Sequence, residues 1–298
     1  MKYDFLDPKA LARLGAIPVE ARQAMTGNVA GRHRSPHRGS SVEFAEYRKY
    51  VQGDDTRRLD WKAYARSDRY YIKEFEADTN LRAYFVLDAS GSMGFSAEDD
   101  ARIQFARKLA ATLSYLIVDQ GDAAGLSVCQ EKIHLEIPPT RRAAHLNHIF
   151  EVLSKTEPSG ETGLVEALHT IAEKVGQRAL VIIMSDLFCD TNALGDALQH
   201  LRYRKHDIAV FHMLDKQEIE FDFERPHRFV DMEDKTAVVA EPVLIADDYR
   251  QAMRDFMQAV RIKCHDVHAD YHLITTDQDY EEIVHNFLTT RLPKKGRK

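Results

Sequence analysis

Ala83-Tyr84-Phe85-Val86-Leu87-Asp88-Ala89-Ser90-Gly91-Ser92-Met93 is the stretch on which the fold turns. Its first five residues are apolar or aromatic without polar alternation, the pattern of a strand covered on both faces, and such strands belong to parallel sheets flanked by helices. The strand runs straight into one carboxylate and two hydroxyls, separated by single residues in a Gly-containing loop. In an open α/β sheet the carboxyl edge is where ligands bind. Hard cations such as Mg2+ take oxygen ligands in near-octahedral geometry, and short side chains on a tight turn can converge on one point. Asp88, Ser90 and Ser92 therefore read as half of a metal site.

Working outward, Leu180–Met184 and Ile208–Phe211 repeat the buried-strand pattern. Ile103, Ala106, Leu109, Ala110, Leu113, Leu116 and Ile117 recur at spacings of three and four, and Gly121 stops that helix. Residues 125–129 and 132–136 read as two short strands, the second alternating enough to be an antiparallel edge. Helices are expected over 141–154, 163–175, 192–203 and 246–263. Residues 220–224 alternate acid and aromatic and are expected to pair with 228–239 as a small excursion, about 218–242. A strand at 269–274 precedes a helix capped by Thr276 or Asp277 and ending near Arg291. The fold class is α/β: a Rossmann-like, mostly parallel sheet with helices on both faces over residues 80–292. Residues 1–79 form an N-terminal segment packing on that core, and 293–298 a frayed basic tail.

The second half of the metal site is expected from other loops at the same sheet edge. Thr162, in Ser159-Gly160-Glu161-Thr162-Gly163-Leu164, and Asp186, after Met184-Ser185, stand where a loop or strand meets a helix. The three elements together resemble the metal-ion-dependent adhesion site of von Willebrand factor A domains. The resemblance implies that Ser90, Ser92 and Thr162 approach the metal directly or nearly so, and that Asp88 and Asp186 act mostly through bound water. It also implies one coordination position open to a partner's acidic residue. The expected ion is Mg2+, with Mn2+ or Ca2+ as alternatives. This chain departs from the pattern in two places: Leu187-Phe188 follows Asp186 where Gly is usual, and Glu161 adds a charge beside Thr162.

A second resemblance rests on Glu43–Tyr50, then Gly53-Asp54-Asp55-Thr56-Arg57-Arg58-Leu59-Asp60-Trp61-Lys62, then Ala65-Arg66. This is similar to the signature of a bacterial family of unknown function in which it precedes the Asp-x-Ser-x-Ser strand. Residues 229–234 and 271–277 resemble that family as well. Members are usually encoded beside AAA+ ATPases of the MoxR type, which implies an adaptor or chaperone-like role with such an ATPase. Many relatives carry transmembrane helices ahead of the signature; none is read in this sequence, so membrane anchoring is not carried over. Arg57, Arg58 and Trp61, with Glu161, are the candidate partner-binding residues. The competing reading of the Arg/Asp segment is a salt-bridged belt with Trp61 as its buried anchor.

Composition narrows the classes. The 298 residues are 44% hydrophobic and 30% charged, as in a globular chain, and a net charge of −6 with pI near 6.2 gives no basic field for nucleic acid or anionic lipid. The basic run 31–38 keeps nucleic-acid binding as a second alternative. Cys129, Cys189 and Cys264 are odd in number and lack a CxxC spacing, which points to a reducing compartment. With no signal-peptide pattern at Met1–Phe5 and no apolar run near 18 residues, the expected location is cytoplasmic. The first alternative function is a phosphoryl-transfer or hydrolase enzyme with Asp88 as nucleophile. Chemistry of that kind, resembling the haloacid dehalogenase pattern, needs a second Asp where Ser90 stands. No phosphate-loop motif or Ser-His-Asp arrangement is read, and the expectation is that the chain is not an enzyme.

Overall fold

The computed structural model describes residues 3–22, 43–49, 61, 64, 66, 70–76, 81–95, 102–223, 225–233 and 235–292. The expectations for Arg57, Arg58, residues 31–38 and the tail 293–298 fall outside these residues. The chain divides into two compact units, Met1–Glu20 with Arg82–Lys298, and Ala21–Leu81. Residues 1–79 are thus not one segment, because the first 20 belong with the sheet domain. They hold there through Pro8–Leu14 (α1), which Asp7 caps by accepting from the Lys9 amide at 2.8 Å and which buries Ala10, Leu11 and Leu14. Beyond it the Gln120 amide brackets the chain, accepting from Val19 N and donating to the Ile17 carbonyl, both at 2.9 Å.

In the smaller unit Glu43–Lys49 (β1) pairs antiparallel with Tyr71–Glu76 (β2). Tyr64 and Tyr70 stack at 4.5 Å and Trp61 meets Tyr64 edge-on. Trp61 is 62% exposed. The buried anchor expected at this position is therefore corrected: an edge-on contact with one tyrosine leaves most of the indole in solvent.

The larger unit is built on Arg82–Asp88 (β3), Ala123–Cys129 (β4), Ile133–Thr140 (β5), Leu180–Ser185 (β6), Asp207–Leu214 (β7) and Asp270–Thr275 (β10), in the order β10-β7-β6-β3-β4-β5. All neighbours are parallel except β4 and β5. β4, β6 and β7 are buried along their whole length and β3 along all but its first residue, so continuous apolar runs were the correct signal for two-faced burial. β5 is partly exposed and antiparallel, as its alternation indicated.

Helices cover both faces. Leu164–Lys174 (α4), Thr191–Tyr203 (α5) and the inner side of Pro242–Asp266 (α7) pack on Tyr84, Val86, Val181, Ile183 and Val210. On the other face, Arg102–Asp119 (α2) meets β3, β4, Ala143–Lys155 (α3) and Tyr280–Arg291 (α8), and Phe287 of α8 lies 5.1 Å from the Phe211 ring. Each fully buried Leu, Ile or Phe in these layers contributes about 1.5–3 kcal/mol over its exposed state. One buried polar knot ties the final helix to the sheet: Arg291 pairs with Asp207 and Asp270 and donates to the Glu20 carbonyl.

Three local expectations change. Asp279, not Thr276 or Asp277, caps α8, because Thr276 turns instead to Asp215 Oδ2 at 3.2 Å. Residues 221–223 do not form a strand. Lys216–Glu220 (α6) ends at Phe221 with φ of 48°, and the hairpin is formed by His227–Val230 (β8) with Ala237–Ala240 (β9). Phe221 instead stacks on Tyr249 at 4.1 Å and on Phe229 at 5.6 Å, an aromatic pile whose burial outweighs the alternating pattern. Finally, α7 starts at Pro242, where proline's fixed φ suits a first helical position.

Candidate metal site

β3 sits between β4 and β6, so its carboxyl end lies at the middle of the sheet edge, and Asp88 is its last residue. Asp88 Oδ1 accepts from the Ser90 amide at 2.9 Å; Oδ2 accepts from Ser185 Oγ at 2.6 Å and from Thr162 Oγ1 at 3.2 Å. Ser90 Oγ and Ser92 Oγ are 3.1 Å apart. Asp88, Ser90 and Asp186 are essentially buried. The loop carrying Thr162 is pinned to the Asp/Ser loop by Gly91 N to Gly160 O (2.8 Å) and Ser159 N to Ala89 O (3.0 Å). Close backbone approach demands glycine at position 163, where a Cβ would lie 2.1 Å from the Glu131 carbonyl oxygen.

Electrostatically the site is short of positive charge. Burial first, and the neighbouring Asp186 charge second, push Asp88 up to about 6, while the Ser185 and Ser90 hydrogen bonds work the other way. Asp186 Oδ2 is buried without a hydrogen-bond partner. Its cationic neighbour is Arg102 at 3.4 Å, and that guanidinium is shared with Glu218 at 2.9 Å and the Ser92 carbonyl. Leu187 follows Asp186 with φ of 58°, the left-handed backbone that favours glycine. Here a leucine accepts that conformation, at a cost of about 1–2 kcal/mol, because its side chain is buried in the helix-covered core.

These donors suit a hard divalent cation. Adjacent ligands of an octahedral ion with bonds of about 2.1 Å lie about 3.0 Å apart, the spacing found between the two serine hydroxyls. Among the described residues no three His, Cys, Asp or Glu side chains converge as a cage, so any ion here would depend on hydroxyls and water between the carboxylates. The structure brings Asp88, Ser90 and Thr162 into one hydrogen-bonded set, with Ser92 on Ser90 and Asp186 adding its charge. Glu161 stands exposed beside them. Trp61 belongs to the other unit.

Sequence reading missed three residues. Ser185, the last of β6, was read only as part of a strand end. Arg102, 1% exposed at the start of α2, drew no reading from the sequence. Glu233 comes from the β8–β9 turn. Its carboxyl is raised in pKa by burial, a hydrogen bond with Ser92 opposes that, and the Asp186 and Asp88 charges add to the rise. A cavity of about 540 Å³ beside the site is lined by Ser92, Arg102, Glu218, Phe221, Glu233 and Tyr249.

A central strand ending in Asp-x-Ser-x-Ser, parallel neighbours, one antiparallel edge and helices on both faces define a von Willebrand factor A-like domain. The chain belongs to the family described as protein of unknown function DUF58, which it matches over residues 46–263. The uncharacterized protein Rv1480 of Mycobacterium tuberculosis is 25% identical over 223 residues, covering 74% of this chain and 70% of that protein, and an uncharacterized protein of Mycobacterium bovis matches equally. Among solved structures, BatB from Bacteroides thetaiotaomicron aligns with a TM-score of 0.47 at 14% identity, covering 71% of this chain and 98% of that one. The SpRpn10 VWA domain aligns at 0.43 and 10%, covering 70% and 95%. Among the described residues no helix is long and apolar enough to cross a membrane.

Proposed function

We propose that this chain is a metal-dependent protein-interaction module: Asp88, Ser90, Ser92, Thr162 and Asp186 hold Mg2+, with Mn2+ or Ca2+ as substitutes, and the ion grips an acidic side chain of a partner. The observation that carries the reading is the meeting of Asp88, Ser90 and Thr162, from two separate loops, at the centre of the sheet edge. The ion would supply a positive centre for a carboxylate. The chain's own residues position it: Ser185 and the Ser90 amide orient Asp88, and Arg102 steadies the Ser92 carbonyl. The similarity of residues 43–66 to the signature of proteins encoded beside MoxR-type AAA+ ATPases makes such an ATPase, or a client delivered with it, the proposed partner. In this reading the chain catalyses no reaction, because Ser90 stands where a phosphoryl-transfer site of the Asp88 type would need an acid.

The test is co-purification with the cognate MoxR-type ATPase, wild type against Asp88→Ala, with Mg2+ or with EDTA. Capture that survives in all four conditions would move the interface away from this sheet edge, with Trp61 the next place to look. Turnover of p-nitrophenyl phosphate that disappears in Asp88→Asn would favour the enzyme instead.

A further inference from the structure

The third carboxylate at the site arrives on an element that leaves the sheet. The β8–β9 hairpin folds its turn back over the Asp88–Met93 loop. A Cβ on Gly91 would lie 2.4 Å from the Met232 carbonyl oxygen and 3.3 Å from Glu233 Cα, so the hairpin backbone rests on the loop at a distance only glycine permits. Gly94 extends the seat, its Cβ position lying 3.8 Å from Met232 Cε.

The turn is shaped by its own polar groups. Asp231 Oδ1 accepts from the Glu233 amide at 2.7 Å, the Asp231 amide donates to Thr236 O at 2.8 Å, and Lys235 Nζ donates to the Met232 carbonyl at 2.7 Å. Lys235 takes φ of 64° to close the turn. Set this way, Glu233 lines the cavity beside the site together with Ser92, and its Oε1 is buried without a hydrogen-bond partner. A fold that brings a third carboxylate within electrostatic reach of two buried ones, without closing them into a cage, and leaves one of its oxygens unsatisfied gains nothing from it while the site is empty of cations. With a cation present, the same arrangement becomes favourable.

We infer that Glu233 is this chain's own acidic ligand, occupying from the β8–β9 turn the outward coordination position that a partner's carboxylate would otherwise take. The inference rests on the metal-site reading above and deepens it: the module is self-capped, and a partner binds by displacing the hairpin. A tethered carboxylate competes at an effective concentration on the order of millimolar or higher, so weak carboxylate ligands free in solution are excluded. The partner class that fits is a protein able to offer both an acidic side chain and a surface that receives the lifted turn.

The experiment is Mn2+ titration of the full chain, followed by calorimetry and by water-proton relaxation, for wild type, Glu233→Gln, Glu233→Ala, Asp88→Asn and the exposed charge control Glu241→Gln. In both Glu233 variants Mn2+ affinity should fall roughly 10-fold or more, the lower end of what removing a supporting metal-site group does. Each bound Mn2+ should also gain fast-exchanging water and enhanced relaxation, while metal-free melting stays unchanged or rises. Glu241→Gln should do none of this. If Asp88→Asn abolishes Mn2+ binding while both Glu233 variants match wild type in affinity and relaxation, the metal site stands and the self-capping inference is wrong. If wild type binds no Mn2+, the metal-site reading fails and the inference falls with it.

Discussion

Ser185 Oγ donates a 2.6 Å hydrogen bond to Asp88 Oδ2 and, through the same oxygen, accepts from the Leu187 amide at 2.9 Å. One hydroxyl thus fixes the carboxylate at the end of β3 and the turn after β6. Because Oδ2 also accepts from Thr162, much of that oxygen's capacity is already used inside the protein, which suits an Asp88 that meets a cation through water.

Ser185→Ala should therefore do two things. It removes a hydrogen bond to an ionised group, worth about 1.5–3 kcal/mol, and it removes an interaction that holds the Asp88 pKa down. Urea unfolding should register the first. A Mn2+ titration at pH 6, where Asp88 would be more protonated in the variant, should register the second as weakened binding. Unchanged affinity at every pH would show that Asp88 needs no such partner.

Metal-linked stability should depend on pH with a definite sign. The folded pKa of Asp88, about 6, lies above its ordinary 3.8, so in the metal-free protein its ionisation disfavours the fold in full above about 6, and the penalty shrinks as pH falls from 6 and is gone only below about 3.8. His206 and His212, pulled down to about 4 by burial, act oppositely: their contribution is full above about 6.5 and is lost as pH falls towards 4. The difference between melting curves with and without Mg2+ cancels the histidines and isolates the site. If the dissociation constant is about 1 mM, then 10 mM Mg2+ should add about 1.4 kcal/mol, or about 2–5 °C, near pH 7.5. That increment should shrink to about 0.4 kcal/mol near pH 5, where protonation of Asp88 weakens the apparent affinity about 10-fold. A pH-independent shift would place the bound ion elsewhere.

Arg102 links Ser92, Asp186 and Glu218 from a position 1% exposed. Arg102→Met leaves two carboxylates facing each other without their cation, so it should cost about 3–5 kcal/mol in denaturant unfolding, as breaking a buried ion pair does. Part of the loss should return on adding Mg2+, which restores a positive centre near Asp186. A variant equally destabilised with and without Mg2+ would separate Arg102 from the site.

Two glycines make a matched pair. A Cβ at Gly163 would collide with the Glu131 carbonyl at 2.1 Å, whereas nothing lies within 4 Å of one at Gly176. Gly163→Ala should therefore shift Thr162, destabilise by about 1–3 kcal/mol and weaken Mn2+ binding. Gly176→Ala should be neutral or stabilise by up to about 1 kcal/mol. Both are read by melting and by the same titration.

How much of this was legible follows from where the signals lie. Unbroken apolar runs at 83–87, 180–184 and 208–211 mark strands enclosed by helices, because burial on both faces removes the usual alternation. The motif residues Asp88, Ser90 and Ser92 are close in sequence and announce themselves. Thr162 could be matched because it stands just ahead of a helix, and Asp186 because it follows the end of a buried strand. Arg102 and Ser185 left no such trace, and Glu233 stood out only within the family-like stretch 229–234 with no role attached: these roles depend on tertiary approach, and a lone Arg, Ser or Glu has many uses. The aromatic run at 221–223 misled for a related reason. Alternation describes one face meeting a sheet, whereas Phe221 found its partner in Tyr249 of a distant helix.

The two sides of the site keep different time. Asp88 terminates a strand hydrogen-bonded on both edges in the middle of a six-stranded sheet, so its amides should exchange with solvent only through the rarest, largest openings of the molecule. Glu233 rides on a two-stranded hairpin whose residues are largely exposed and which, among the described residues, pairs with no other strand. Amides of the hairpin should exchange orders of magnitude sooner than those of β3. The receptor half is therefore effectively permanent on the scale of a binding event, and the cap is not, so release and recapture of Glu233 can proceed many times over the lifetime of a single folded chain.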